Sequence, residues 1–498
     1  MAFTTQIFIF FYFPLCMILY YLSLFLQSTK NMGGVLKKLR FNDLTLIGIS
    51  SVFYLWACFI DVFWFAAYIV LVYLLGNIIC RLRKWKLHLI GGDTENADKQ
   101  TCISLALPVF GAAVAIVVYL LIHFKLSGLP VKLWNLLSKD DLTSKSFLAP
   151  LGISFITFSA ISYLADVYMG KASAGNLIDC ALYLTFFPKV VSGPIVLWRD
   201  FCNQIDTRTI HLEQVSTGAN RMMIGFAKKL LLADAFGVCI ASATDCVDVP
   251  TAWGIALLYM LQIYYDFSGY SDIAIGLSNM LGFSFHENFN FPYLSRSISE
   301  FWRRWHISLG TWFREYIYIP LGGSRNGTGT TIRNILIVFL LTGIWHGSGW
   351  SFLLWGLING LCNVAERLIA NKRWYQKTPG ILKWAATMAV TFLCWEIFRF
   401  GNLSSCISWF RLMLGQAQVS SIPYTWQYYF DKRMLFLMVS GVAGATLFGL
   451  PRVQNVLHKM IRKPLGYCVY QIIVIILFLG AILCMVNSTY SPFLYFQY

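Results

Sequence analysis

Apolar stretches recur along the chain near 5–27, 43–60, 62–80, 103–124, 147–169, 224–243, 251–276, 332–345, 350–369, 383–400, 433–450 and 467–487. Most approach the ~20 residues that a helix needs to cross hydrocarbon. The pattern predicts an all-α, polytopic integral membrane protein with about twelve membrane helices. A further apolar stretch, 178–197, is interrupted by Pro188, Gly193 and Pro194. It reads as a re-entrant segment whose broken backbone must be covered by protein. Between 296 and 326 the apolar positions Ile298, Phe301, Trp305, Leu309, Trp312, Tyr316 and Ile319 repeat at helical spacing, with charge mainly on the other side. That predicts one amphipathic helix lying in the membrane interface. Polar loops are expected at 84–101, 125–146 and 417–432. With no internal repeat, 1–498 reads as a single membrane domain, its N-terminal helices within 1–124 and its C-terminal helices within 383–487.

Composition supports lipid as the solvent. The chain is 57% hydrophobic and 12% charged, against about 25% charged in a soluble domain. The net charge of +16 lies in short basic clusters between apolar runs: Lys30, Lys37, Lys38 and Arg40; Arg81, Arg83, Lys84 and Lys86; Lys228 and Lys229; Lys372 and Arg373; Lys459, Arg462 and Lys463. Such clusters set topology and meet anionic headgroups, which removes nucleic acid as a partner. Their alternation places both termini outside. Residues 5–27 are too long and too uniformly apolar for a cleaved signal. The thirteen cysteines form no C-x-x-C pair and no cluster with metal spacing. They read as small buried hydrophobes, with neither a disulfide nor a bound metal expected.

Candidate chemistry concentrates in three places. Arg303, Arg304 and Arg314 lie in the amphipathic stretch, where they could anchor to lipid phosphates or hold a phosphorylated donor. His306 borders the apolar stripe of the same stretch. The run 332–345 ends in TGIWHGSGW (342–350) and a second run follows to 369, with basic residues at both outer ends. This is a hairpin rooted in the cytoplasm. A first arm of 14 residues would rise roughly 21 Å against about 30 Å of hydrocarbon, so its turn should lie within the membrane. His346 would then be an intramembrane titratable group at a glycine-flanked bend open to substrate, and such groups are functional by default. In YYDFSGYSD (264–272), Asp266 and Asp272 beside Ser-Gly suggest a broken helix that Asp266 caps on restarting, and Asp266 is also a candidate donor-binding residue. Glycines at 322, 323, 327 and 329 lack a Gly-Lys-Ser/Thr ending and carry no phosphate-loop signal.

The motifs PLGISFITFSAISYLADVY (150–168), FFPKVVSGPIV (186–196), YYDFSGYSDIAIGLSNMLGF (264–283), NFNFPYLSRSISEFWRRWHISLGTWFREYIYIPLGG (288–323) and LTGIWHGSGWSFLLWG (341–356) occur in order. In these residues the chain resembles the membrane-bound O-acyltransferase family, in particular its bacterial alginate O-acetyltransferase branch. The resemblance implies a catalytic core over about 147–369, a ring of tilted helices and a central funnel. His346 matches the family histidine and His306 the histidine of the WRRWHISL motif. Two positions depart from the branch: Ile358-Asn359-Gly360 stands where Trp-His-Gly is frequent, and Ser159 where Gln occurs.

The resemblance further implies a protein of the bacterial cytoplasmic membrane with no permanently bound cofactor and with cytoplasmic acetyl-CoA as donor. The acceptor would be an extracytoplasmic polysaccharide, reached through a partner acetyltransferase. Histidine suits such chemistry because its ordinary pKa of about 6.5 lies near working pH. His346 is therefore read as the general base, and His306 and Asn359 as groups that orient the donor or polarise its carbonyl. Two competing readings stay open. One is D-alanyl transfer from a carrier protein to teichoic acid; the other is a proton-coupled transporter using Asp166, Asp266 and Asp272.

Overall fold

The apolar runs become helices in the computed structural model, which describes residues 3–29, 33–57, 59–89, 97–125, 134–135, 138, 150–191, 193–243, 247–416 and 424–487. Among the described residues there is no β-strand. Eight helices among them are long and apolar enough to cross a bilayer: Phe8–Ser28, Asp61–Arg83, Ala106–Lys125, Gly327–His346, Trp350–Ile369, Gly380–Arg399, Lys432–Gly449 and Pro464–Asn487. The other expected segments are helical too. Phe41–Ala57 and Ile153–Met169 have 17 residues each, and Val249–Met280 has 32. Segment 224–243 is the end of a longer helical run, 212–242, which widens into a π turn at Lys228–Ala233. The expected loop 84–101 is partly helical, because Phe59–Leu89 continues into it and Ala97–Lys125 starts within it. The loop 125–146 lies almost wholly outside the described residues, and 417–432 in part.

The chain divides into two compact units, Met1–Ala219 with Ala274–His286, and Asn220–Ile273 with Glu287–Tyr498. In the first, the interrupted stretch 178–197 is a capped helix, Leu177–Thr185, then a single turn, Phe187–Val190, then extended chain. Asn176 and Asp179 close the helix start reciprocally, at 2.9 and 2.8 Å. Nearly every described residue of the stretch is buried, so the broken backbone is covered by protein as expected. The buried Lys189 donates to Ser159 Oγ at 2.8 Å and lies over the Tyr183 ring. Arg40, at φ 55°, bonds Asp179 at 2.5 Å and Asp43 at 2.7 Å, and Arg208 pairs with the same Asp43. Buried ions are stable only when paired and hydrogen-bonded in this way.

The second unit carries its own charge cluster. Lys229 pairs with Asp266 at 2.8 Å and with Asp234 at 2.5 Å, while Asp272 holds Arg221 at 2.9 Å and Lys228 at 2.6 Å. This corrects the reading of Asp266. Val249–Met280 runs through Ser268-Gly269 without a break, so Asp266 caps nothing and instead neutralises a buried lysine. The glycine serves close packing. A Cβ on Gly269 would lie 2.8 Å from the Gly225 carbonyl, and one on Gly225 would lie 2.7 Å from the Gly269 carbonyl.

The stretch 296–326 is also corrected. It is not one helix but Ile298–Arg304, Ile307–Phe313 and a π turn Arg314–Tyr318, separated at His306. The apolar stripe holds over most of its length: Ile298, Phe301, Trp305, Leu309, Trp312 and Tyr316 are buried, while Ile319, at its end, is exposed.

The hairpin has two arms of 20 residues, Gly327–His346 and Trp350–Ile369. Each rises about 30 Å at 1.5 Å per residue, which removes the short-arm argument for the depth of His346. The glycines flanking the bend are not open either. A Cβ on Gly343 would meet the Phe352 carbonyl at 2.5 Å, and one on Gly347 the Phe352 ring at 2.7 Å. Gly356 faces the Phe339 carbonyl at 2.5 Å in the same sense. Small residues let the two backbones approach closely, which is how helices associate where lipid is as apolar as the side chains. Gly343→Val should therefore destabilise the unit by about 1–3 kcal/mol through overpacking against a carbonyl. Thermal unfolding followed by tryptophan fluorescence would show it as a lowered midpoint; an unchanged midpoint would mean the arms can part freely.

Candidate active site

His306 is held by the break that produces it. It sits at φ 45°, ψ 52°, between two seven-residue helices, in a left-handed region that non-glycine residues seldom adopt. The interrupted backbone bonds are replaced from residues 288–290. Ile307 N donates to Asn288 O at 3.0 Å, and Asn290 N to Arg304 O at 2.9 Å. The Asn288 side chain completes the splice. Its Oδ1 lies 3.1 Å from His306 Nδ1 and accepts from Ser308 N at 3.2 Å and Ser308 Oγ at 2.9 Å. Its Nδ2 donates to Ser271 Oγ at 2.9 Å.

The ring stands edge-on to Phe267, centroids 4.6 Å apart, and His306 is 2% exposed. Burial lowers its pKa to about 3, because the charged form cannot be hydrated there. His306 is thus a neutral imidazole at any working pH. Its Nε2 is shielded from water and has no hydrogen-bond partner among the described residues.

His306 forms part of the wall of a cavity of about 420 Å³, within the range of roughly 300–1,000 Å³ usual for small-molecule sites. Arg303 and Arg314 line it together with Trp302, Trp305, Thr342 and Asn363. Arg304 does not: it pairs with Glu300 at 2.7 Å and bonds Asn290 O. Asp266 is likewise absent from the wall.

His346 closes the helix Gly327–His346 and is 4% exposed. Its ring meets the edges of Trp355 and Phe398, at 5.2 and 4.8 Å between centroids. It does not line the cavity, but Thr342 does, four residues earlier on the same helix and hence about 6 Å of rise away. Aromatic rings connect the two histidines. Trp302, on the cavity wall, contacts Trp355 at 5.7 Å. Trp305, beside His306, contacts Trp395 at 4.7 Å, which in turn contacts Phe398 at 5.7 Å. The site therefore has two buried histidines on one tryptophan cluster, with a cationic cavity on the His306 side.

Of the residues expected from sequence, His306, Arg303 and Arg314 meet at the cavity and His346 joins them through the aromatic cluster. Asn359 is buried and donates to Trp355 O within its own helix, at 2.9 Å. One turn further on, Asn363 takes the cavity position, accepting from Ser299 Oγ at 3.3 Å. Asn288 was missed although it begins a recognised motif, since nothing local marks it as the partner of a histidine 18 residues away.

These features are those of a membrane acyltransferase, and the chain belongs to the membrane-bound O-acyltransferase family, whose sequence profile matches residues 61–406. It is similar to a probable alginate O-acetylase of Azotobacter vinelandii, 34% identical over the whole of both chains. It is 33% identical to a peptidoglycan O-acetyltransferase of Helicobacter pylori over 61% of this chain and 64% of that one. A teichoic acid D-alanyltransferase of Bacillus subtilis is 25% identical over 65% of this chain and 84% of that one. The protein is a multi-pass membrane O-acyltransferase.

The neutral state of His306 has a consequence for stability. Between about pH 6.5 and 3 the unfolded chain binds a proton at this position and the folded chain does not, so stability rises with pH across that window. The slope is at most about 1.4 kcal/mol per pH unit. Denaturation midpoints measured from pH 7 to 4 should fall for the wild type and fall less steeply for His306→Gln. Parallel slopes would show that His306 titrates normally in the fold.

Proposed function

We propose that the protein transfers an acetyl group from acetyl-CoA, supplied on the cytoplasmic side of the bacterial inner membrane, to hydroxyl groups of an extracytoplasmic polysaccharide. The receiving hydroxyl is on the polymer itself or on a partner acetyltransferase that passes the group on. The observation that carries this reading is the cavity lined by Arg303, Arg314 and His306, joined to His346 by tryptophan rings. The arginines suit the phosphates of the donor, and the tryptophans exclude water from a thioester that would otherwise hydrolyse. His346 removes the proton from the acceptor hydroxyl as its oxygen attacks the thioester carbonyl. The C–S bond breaks, and the proton passes to the departing thiolate. Full-length similarity to alginate O-acetylases supports acetyl as the group moved.

The transporter reading loses ground on charge. Asp266 and Asp272 are held by Lys229, and by Lys228 and Arg221, and Asp166 lies 3.9 Å from Arg199. Carboxylates paired in this way are poor stations for a travelling proton. Transfer of D-alanine from a carrier protein remains the second reading, supported by the similarity to D-alanyltransferases.

Vesicles given radiolabelled acetyl-CoA, or in parallel a charged carrier protein, separate the donors. The expected result is acetyl incorporation from acetyl-CoA that falls about 10²- to 10⁴-fold in His346→Ala, the usual contribution of a general base. A smaller loss is expected in His306→Ala. Undiminished transfer in His346→Ala would overturn the mechanism, and incorporation only from the carrier would replace the donor.

A further inference from the structure

The hydrogen-bond network around His306 fixes more than its position. Ser308 N can only donate, and it donates to the same Asn288 atom that approaches His306 Nδ1. The atom must therefore be the carboxamide oxygen, an assignment that orientation of the amide alone would leave open. The opposite end of the amide agrees, because Nδ2 has Ser271 Oγ as its acceptor. An oxygen 3.1 Å from Nδ1 requires that Nδ1 carry the hydrogen. Nε2 then holds a lone pair, on a residue of the cavity wall, with no hydrogen-bond partner among the described residues. A buried polar atom without a partner costs free energy, and a native structure keeps one where a function uses it.

We propose that Asn288 is a positioning residue that locks His306 as the Nδ1–H tautomer, so that Nε2, which water does not reach, accepts a hydrogen bond from an N–H, O–H or S–H group of a cavity occupant that displaces the side chains around the ring. This rests on the cavity being the acyl-donor site and changes what His306 does there. A bare Nε2 cannot polarise a thioester carbonyl, which requires a donor. It can take the N–H of an amide in the donor's arm or the S–H of the departing thiol. The bond to the amide fixes the thioester relative to His346, the bond to the thiol holds the leaving group after the C–S bond has broken, and the base role is left to the other histidine.

The charged groups around the ring are few. Arg303 and Arg314 line the same cavity. Arg304 is occupied by Glu300. On Val249–Met280, Asp266 precedes Phe267 and Asp272 follows Ser271, and both carboxylates are already paired with Lys229, or with Lys228 and Arg221. Glu287, beside Asn288 in sequence, is paired with Arg221, and among the described residues the groups at Nδ1 are Asn288 Oδ1 and Ser308 Oγ, neither a carboxylate. Asn288→Asp introduces one, keeps the acceptor and should favour the imidazolium, so its activity should fall at a higher pH, and more steeply, than that of the wild type, whose acid limb is set by His346 alone. Asn288→Ala should lower transfer at every pH without moving the wild-type acid limb, and the loss should appear in KM for acetyl-CoA more than in kcat. A merely structural role would give no such split.

The tautomer can be read without any turnover. Protein labelled with ¹⁵N-histidine, in detergent or nanodiscs, gives the His306 signals by difference from His306→Gln. A protonated Nδ1 and an unprotonated Nε2 in the wild type, with the two tautomers mixing in Asn288→Ala, are expected. An Nε2–H tautomer in the wild type overturns the proposal. So does an unchanged tautomer in Asn288→Ala, or an Asn288→Asp pH profile that matches the wild type. Should the vesicles transfer no acetyl at all, the donor reading fails while the nitrogen signals still decide the role of Asn288.

Discussion

A helix broken inside a membrane protein leaves backbone donors and acceptors that no water can satisfy. The site depends on how that constraint is met at His306. One carboxamide, Asn288, takes up the backbone N–H and hydroxyl of Ser308 and the ring of His306, and its own amide reaches Ser271. The flanking backbone of 288–290 supplies the remaining bonds. Ile298–Arg304 and Ile307–Phe313 can therefore meet at an angle instead of continuing as one rod. That angle puts Trp302, Arg303 and His306 on a common cavity wall with Arg314. Without it the same side chains would spread along a single amphipathic face, as their spacing in the sequence suggests.

Charge is handled by the same logic of internal satisfaction. Lys229 and Asp266 are each almost fully buried, and an isolated ion there would cost several kcal/mol. Paired, with Asp234 added, they tie the 212–242 run to Val249–Met280. The π turn at Lys228–Ala233 coincides with this pairing, and Gly225 and Gly269 let the helices come close enough one turn away. Losing one partner strands the other, at about 3–5 kcal/mol. Asp266 accordingly belongs to the scaffold.

The helical class, the apolar stripe of 298–316 and both histidines were legible in the sequence, since apolar periodicity and rare buried polar groups are local signals. The break at His306 was not, because no proline or glycine marks it and its cause lies at Asn288. Ser268-Gly269 looked like a break for the opposite reason: a glycine that serves close approach is written the same way as one that serves a turn. The length of Gly327–His346 was underestimated because its first turn, Gly327–Thr330, is polar and apolar counting omits it. Asn359 draws notice because it stands where the family branch has the histidine of Trp-His-Gly, whereas helix phase puts Asn363 on the cavity wall.

The two histidines can hold different roles because their surroundings differ, as they do wherever one fold separates paired titratable groups. His306 is deprived of solvent and pinned through Nδ1, and it shares a cavity wall with Arg303 and Arg314. A third positive charge there would add repulsion that the low local dielectric magnifies. Holding it neutral leaves the cationic character of the cavity to Arg303 and Arg314, which suits an anionic donor, and leaves Nε2 as a directional acceptor. His346 has aromatic edges about it at the end of a helix and lies beyond that cationic wall. On the proposed reading the proton chemistry falls to His346, because His306, locked and uncharged, is suited to placing the thioester and not to titrating with it.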